Sequence, residues 1–143
     1  MLDALLSLGE EQFVSLTTFR RSGTGVATPV WVAPAADSSG GAGSADAALV
    51  VTTISTTGKA KRIRHDRRVQ LVGCTRSGQV APDAVPVDAQ ATLVTDPAQV
   101  SQLSGALRRK YGPLFALFLL AARLPRKNKG ERVMIVIRPA SNR

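Results

Sequence analysis

Cysteine, histidine and aromatic residues are scarce in this chain, and each scarcity removes a class of function. One cysteine, Cys74, excludes an internal disulfide framework and a cysteine-based zinc cluster. The one histidine, His65, has no second histidine or carboxylate at ligand spacing beyond its neighbour Asp66, so no metal site is expected. Aromatics make up 4% of the chain and none lies in its most basic segment. Nucleic-acid binders usually stack bases on such rings, so no nucleic-acid partner is expected, and an RNA-binding module is the least favoured reading. The most apolar window, "PLFALFLLAARLP" at 113–125, spans 13 residues, against the roughly 20 needed to cross a bilayer. No membrane partner is expected. "MLDALLSLGEEQF" lacks the basic, apolar and small-residue regions of a signal peptide, and a cytoplasmic location follows as an expectation.

Signatures of catalysis are missing too. There is no G-x-S-x-G, no P-loop and no G-x-G-x-x-G. Cys74 lies nine residues from the only histidine, with no evident orienting partner for a nucleophile–base pair. No acid–base dyad stands out, so the catalytic residues are left unassigned.

What remains is a basic, globular chain. Its 143 residues suit one domain, 1–143, with 44% hydrophobic and 20% charged residues and a formal net charge of +9. Such a charge favours anionic ligands but does not select a fold. Six of the ten residues from Lys59 to Arg68 are Lys or Arg.

Periodicity gives the elements. Asp3 caps a short leading helix, and strands are expected over Phe13–Phe19, Val26–Pro34, Ala48–Ile54, Arg68–Cys74, Val87–Thr95 and Arg132–Pro139. Pro29 cannot donate to a ladder, which places one part of its strand beside something other than a neighbouring strand. A Gly/Ser-rich stretch, 35–47, reads as a mobile hairpin loop. A helix is expected over 58–66, capped by Ser55, Thr56 or Thr57. Another begins at Asp96–Pro97 and ends at Gly112–Pro113, and "LFALFLLAARL" reads as a further, very apolar one. Six strands joined mostly by turns indicate a mainly β fold, a small barrel decorated by helices.

The helix over 58–66 carries the sharpest functional signal. Its start exposes backbone N–H groups and a positive dipole end, Gly58 permits close approach, and Ser55, Thr56 and Thr57 offer hydroxyls. Lys59, Lys61 and Arg62 add cations in the first turn, where they oppose the helix dipole, which suits a phosphate site. Against this stands the plain alternative of a solvated basic face. For Arg64, Arg67 and Arg68, nearer the helix end, the structural reading is the better one.

The stretches "LTTFRRSGTGVATPVWV" and "LVVTTISTTGKAKRIRHDRRVQLVGCTRSG", followed by a strand and a helix, resemble the pyridoxamine-phosphate-oxidase-like split β-barrel proteins. More narrowly, they are similar to the flavin/deazaflavin oxidoreductase branch that uses coenzyme F420. The resemblance runs from about Phe13 to the final strand. It implies a six-stranded FMN-binding split barrel and a homodimer with cofactor sites at the subunit interface. It places the segment Thr28, Pro29, Val30 and Trp31 along the tricyclic ring. Ser55, Thr56, Thr57, Gly58, Lys59, Lys61 and Arg62 would take the cofactor phosphate, with Lys59 as the principal cation.

This sequence departs from the pattern in three places. Gly58 stands where FMN-dependent oxidases often carry Arg. The chain ends at "IRPASNR" without the substrate-recognition segment of those oxidases, and the loop over 35–47 is longer than the branch's tight turn. The first two favour the deazaflavin. The resemblance therefore implies an F420-dependent oxidoreductase moving a hydride to or from a small unsaturated or conjugated acceptor. FMN-dependent reduction on the same fold, and a non-catalytic F420 carrier, are the alternatives. Solvent, or a hydroxyl such as that of Thr28 or Tyr111, is the candidate proton donor, and Arg108, Arg109 and Lys110 are candidate partners for an acidic cofactor tail.

Overall fold

A computed structural model describes residues 5, 7–34, 48–113 and 131–139. The expected loop over 35–47 and the apolar helix after Pro113 lie outside these residues. Of the leading helix, a single 3-10 turn, Leu8–Glu10, is described in full.

Among the described residues seven strands form one antiparallel sheet: β1 (Phe13–Phe19), β2 (Gly25–Val30), β3 (Ala33–Pro34), β4 (Leu49–Ile54), β5 (Arg68–Cys74), β6 (Val87–Val94) and β7 (Arg132–Pro139). Their order across the sheet is β2-β1-β5-β6-β7-β4-β3. Among the described residues two helices join them, α1 (Gly58–His65) between β4 and β5 and α2 (Pro97–Tyr111) between β6 and β7.

Six strands were expected, and the seventh corrects the reading of Val26–Pro34 as one strand. That segment breaks at Trp31–Val32. Its first half pairs with β1 at one edge of the sheet, and its second half pairs with β4 at the other. Consecutive Cα atoms are about 3.8 Å apart, so Val30 and Ala33 lie within about 11 Å of each other. The two sheet edges must therefore meet there, and the sheet curls into a barrel. The break is a corner, and alternation of side chains cannot reveal a corner.

The barrel closes only locally. Ala33 faces Val50 and Pro34 faces Leu49. Continuing that register would set Val32, Trp31, Val30 and Pro29 opposite Val51, Thr52, Thr53 and Ile54, yet β2 pairs with β1 and not with β4. The ladder stops and the edges of β2 and β4 diverge. This is the split in the barrel.

Strand β7 explains the unbroken apolar run "VMIVI". Ile135 and Ile137 face the barrel interior with Val14, Leu16, Leu49, Val51 and Leu71, while Met134 and Val136 face outward beneath α2. A strand covered on both faces loses its alternation. Helix α2 returns Val100, Ser104, Leu107 and Tyr111 to that outer layer, spaced by three and four residues on one face. The Asp96 carboxylate accepts from the Gln99 N–H at 3.1 Å at its start, and Gly112 (φ 58°) ends it.

Candidate functional site

Where the ladder stops, a cleft of 460 Å³ opens between the diverging edges. Pro29, Val30 and Trp31 line one side, with Gln12 and Phe13 from the entry to β1 and Arg76 from the turn after β5. Thr52, Thr53 and Ile54 line the other, joined by Thr57 and Lys59 at the start of α1 and by Arg132 at the start of β7. One side is therefore mostly apolar, with Gln12 and Arg76 at it, and the other carries threonines and cations.

The apolar wall is held by aromatic contacts. The Trp31 ring stacks on Tyr111, with centroids 4.7 Å apart and planes 16° apart. It meets Phe13 edge-on at 6.5 Å. Pro29 is exposed on an edge strand, as its missing N–H requires.

On the polar wall, the turn into α1 sets the geometry. Thr57 is the N-cap: its hydroxyl oxygen accepts from the Ala60 N–H at 3.4 Å and donates to the Ile54 carbonyl at 2.9 Å. That same oxygen lies 3.0 Å from the Thr53 hydroxyl. Ala60 and Ile63 anchor the helix in the core, which turns Lys59 toward the cleft. Burial, and secondarily the nearby Arg62 guanidinium, hold the Lys59 ammonium below its usual range. Arg132 Nη1 donates to the Thr52 hydroxyl at 2.9 Å. Three cationic residues and three threonines line the cleft, and no carboxylate is among its lining residues that are described.

Five of the residues singled out from the sequence line the cleft together: Pro29, Val30, Trp31, Thr57 and Lys59. The others are placed elsewhere. Arg62 turns toward β1, where its Nε donates to the Thr18 hydroxyl, and its guanidinium covers Gly58. Ser55 binds the start of β7, donating its N–H to the Glu131 carbonyl at 2.8 Å and accepting from the Glu131 N–H at 3.2 Å. Thr56, Gly58 and Lys61 are exposed. Thr28 is not among the lining residues, and its buried hydroxyl has no partner among the described residues. Sequence reasoning missed Gln12, Phe13, Thr52, Thr53, Ile54, Arg76 and Arg132. Thr52 and Thr53, hydroxyls inside an apolar strand, were the one visible signal.

His65 sits outside the cleft, its ring nitrogens 3.3 Å from Arg21 Nη2. Burial, with Glu11 next in effect, raises the Cys74 thiol above its ordinary range, away from the reactive thiolate. Among the described residues no cluster of three metal-ligating side chains exists. No helix among them is long and apolar enough to cross a membrane.

A search of curated protein sequences finds no match. The family model described as pyridoxamine 5'-phosphate oxidase matches residues 2–141. The chain belongs to this family. Solved structures share the fold of this pyridoxamine 5'-phosphate oxidase family member at low identity. A conserved hypothetical protein, Rv2991 from Mycobacterium tuberculosis, is 16% identical, with 100% of this chain and 81% of that chain covered and a TM-score of 0.62. A protein described as an F420 reductase is 24% identical, with 94% and 92% covered and a TM-score of 0.57. The heme storage protein HutZ from Vibrio cholerae is 11% identical, with 99% and 92% covered and a TM-score of 0.62.

The lining residues of the family member's cleft fit a phosphorylated, planar cofactor. A ring needs an apolar face and a phosphate needs cations, and the lining supplies both, in Pro29, Val30, Trp31 and Phe13 and in Lys59, Arg76 and Arg132.

Proposed function

We propose that the cleft holds a phosphorylated tricyclic cofactor, coenzyme F420, and that the protein is an F420-dependent oxidoreductase acting on a small unsaturated or conjugated acceptor. One observation carries this reading. Where four rungs of the β2–β4 ladder are missing, an aromatic wall at Trp31 faces a desolvated lysine at Lys59. The family membership and the F420 reductase among the structural neighbours support it.

When bound, the cofactor supplies the hydride chemistry. The chain's own residues bind, orient and exclude water. Lys59 holds the phosphate, with Arg132 beside it, while the Thr57 hydroxyl proton is committed to the Ile54 carbonyl and that of Thr53 to Thr57. Trp31, Val30, Pro29 and Phe13 cover the ring. The Tyr111 hydroxyl is committed to the backbone at Val32 and Gln12, so it is not a proton donor in the cleft. The protein acts as a homodimer in the cytoplasm, and the partner subunit completes the cleft.

FMN is the second reading, favoured by the family's own oxidase chemistry and by the same phosphate-binding set. Titrating purified protein with F420 and separately with FMN tests the reading. Micromolar binding of F420, lost in Lys59→Ala, supports it. Binding that survives Lys59→Ala, or no binding of either cofactor, refutes it. A carrier would bind F420 yet fail to oxidise its reduced form with any acceptor.

A further inference from the structure

The corner at Trp31–Val32 must be held by something other than the sheet, because neither residue belongs to a strand. The last two residues of α2 hold it. The Tyr111 hydroxyl accepts from the Val32 N–H at 3.1 Å and lies 2.9 Å from the Val32 carbonyl and 2.7 Å from the Gln12 carbonyl. Having one proton, it donates to one of these carbonyls at a time. The Lys110 ammonium donates to the Val32 carbonyl at 2.6 Å and to the Glu11 carbonyl. Two side chains thus tie the corner to the two residues that precede β1, far away in sequence.

What is tied together lies beside the cleft. Gln12 and Phe13 line it directly after Glu11, and Trp31 lines it directly before Val32. The Tyr111 ring also stacks on Trp31, so its hydroxyl fixes the backbone and its ring fixes the indole. Neither Tyr111 nor Lys110 itself lines the cleft. Lys110 sits at the C-terminal end of α2, where the helix dipole favours a cation, and its ammonium lies 5.0 Å from the Tyr111 ring centroid.

We propose that Tyr111 and Lys110 are positioning residues that set the Trp31 wall of the cleft and thereby its affinity for a planar ligand. This rests on the cofactor reading above for the ligand, but not for the clamp itself. Flat ligands bind well only when both walls are pre-organised at the right separation. Loss of the hydroxyl leaves the Val32 N–H without its partner and the Val32 carbonyl on Lys110 alone, which loosens the corner, while the ring of a phenylalanine can still stack.

Trp31 is the chain's only tryptophan, so its fluorescence reports this wall alone. The experiment compares wild type, Tyr111→Phe and Lys110→Met. It measures acrylamide quenching of Trp31 without ligand, the far-ultraviolet circular dichroism, and the affinity for F420 and for FMN. Tyr111→Phe is expected to keep the fold, to raise Trp31 quenching, and to weaken cofactor binding about tenfold. Lys110→Met is expected to shift both readouts in the same direction and serves as the second variant should Tyr111→Phe not fold. Unchanged quenching in a folded variant overturns the proposal, as does raised quenching with unchanged affinity. If wild type binds neither cofactor, the cofactor reading fails while Trp31 quenching in the ligand-free protein still decides the clamp.

Discussion

Replacing Lys59 by methionine separates binding from folding. The ammonium is half-buried, lies near the Arg62 guanidinium, and has no ion pair among the described residues. Both influences lower its pKa, so in the window between that lowered value and 10.5 the unfolded chain holds more protons than the folded one. Lys59 therefore contributes a rise of folding stability with pH across this window, and Lys59→Met removes that contribution. Methionine keeps the aliphatic reach and removes the unpaired charge. Because the group keeps some solvent contact, the melting midpoint at pH 7 is expected to stay within about 3 °C, or about 1 kcal/mol. Ligand binding behaves oppositely. A charge-assisted hydrogen bond to phosphate contributes about 1.5–3 kcal/mol, so affinity for F420 or FMN is expected to fall about 10- to 150-fold. A bound anion raises the Lys59 pKa, so wild-type affinity weakens as pH rises through the lowered value, and the variant lacks this dependence. Calorimetric melts and titrations from pH 7 to 10 read both effects. A variant that melts far lower with its affinity intact would show that Lys59 supports the fold and not the ligand.

The other cations sort by where they point. Arg62→Ala is expected to change F420 affinity less than about threefold, because its guanidinium binds Thr18 beside β1, whereas Arg132→Ala weakens binding more, both read by titration. Leu71→Ala, at a fully buried core position, is expected to cost about 2–5 kcal/mol in urea denaturation without altering Trp31 emission in the folded state. Asp96→Ala removes the N-cap of α2 and is expected to cost about 1 kcal/mol in the same assay. Gly112→Ala forces a side chain at φ 58° and is expected to destabilise by about 1 kcal/mol.

Local chemistry was legible in the sequence, and long-range closure was not. Strands β1, β5 and β7 coincide with their expected spans, because alternation or a bounded apolar run announces them. The capped start of α1 and the Asp96–Pro97 start of α2 were readable from a few adjacent residues. The corner at Trp31–Val32 was hidden, because its hydrogen-bond partners, Lys110 and Tyr111, lie on a helix some 79 residues away. Within the basic run, proximity in sequence misleads. At about 3.6 residues per turn, Lys61 points well away from Lys59, and Arg62 sits on the face that meets β1. The cations that join Lys59 in the cleft, Arg76 and Arg132, enter from elements separated from it in sequence and brought close by sheet order. No local pattern marks them.

The cofactor cleft between Trp31 and Lys59 is tested most directly by following Trp31 fluorescence during titration with F420. Saturable quenching with one site per chain is predicted, shifted to higher concentration in Lys59→Met. Quenching that never saturates, or saturates identically in the variant, would contradict a phosphate-anchored ring lying on that wall.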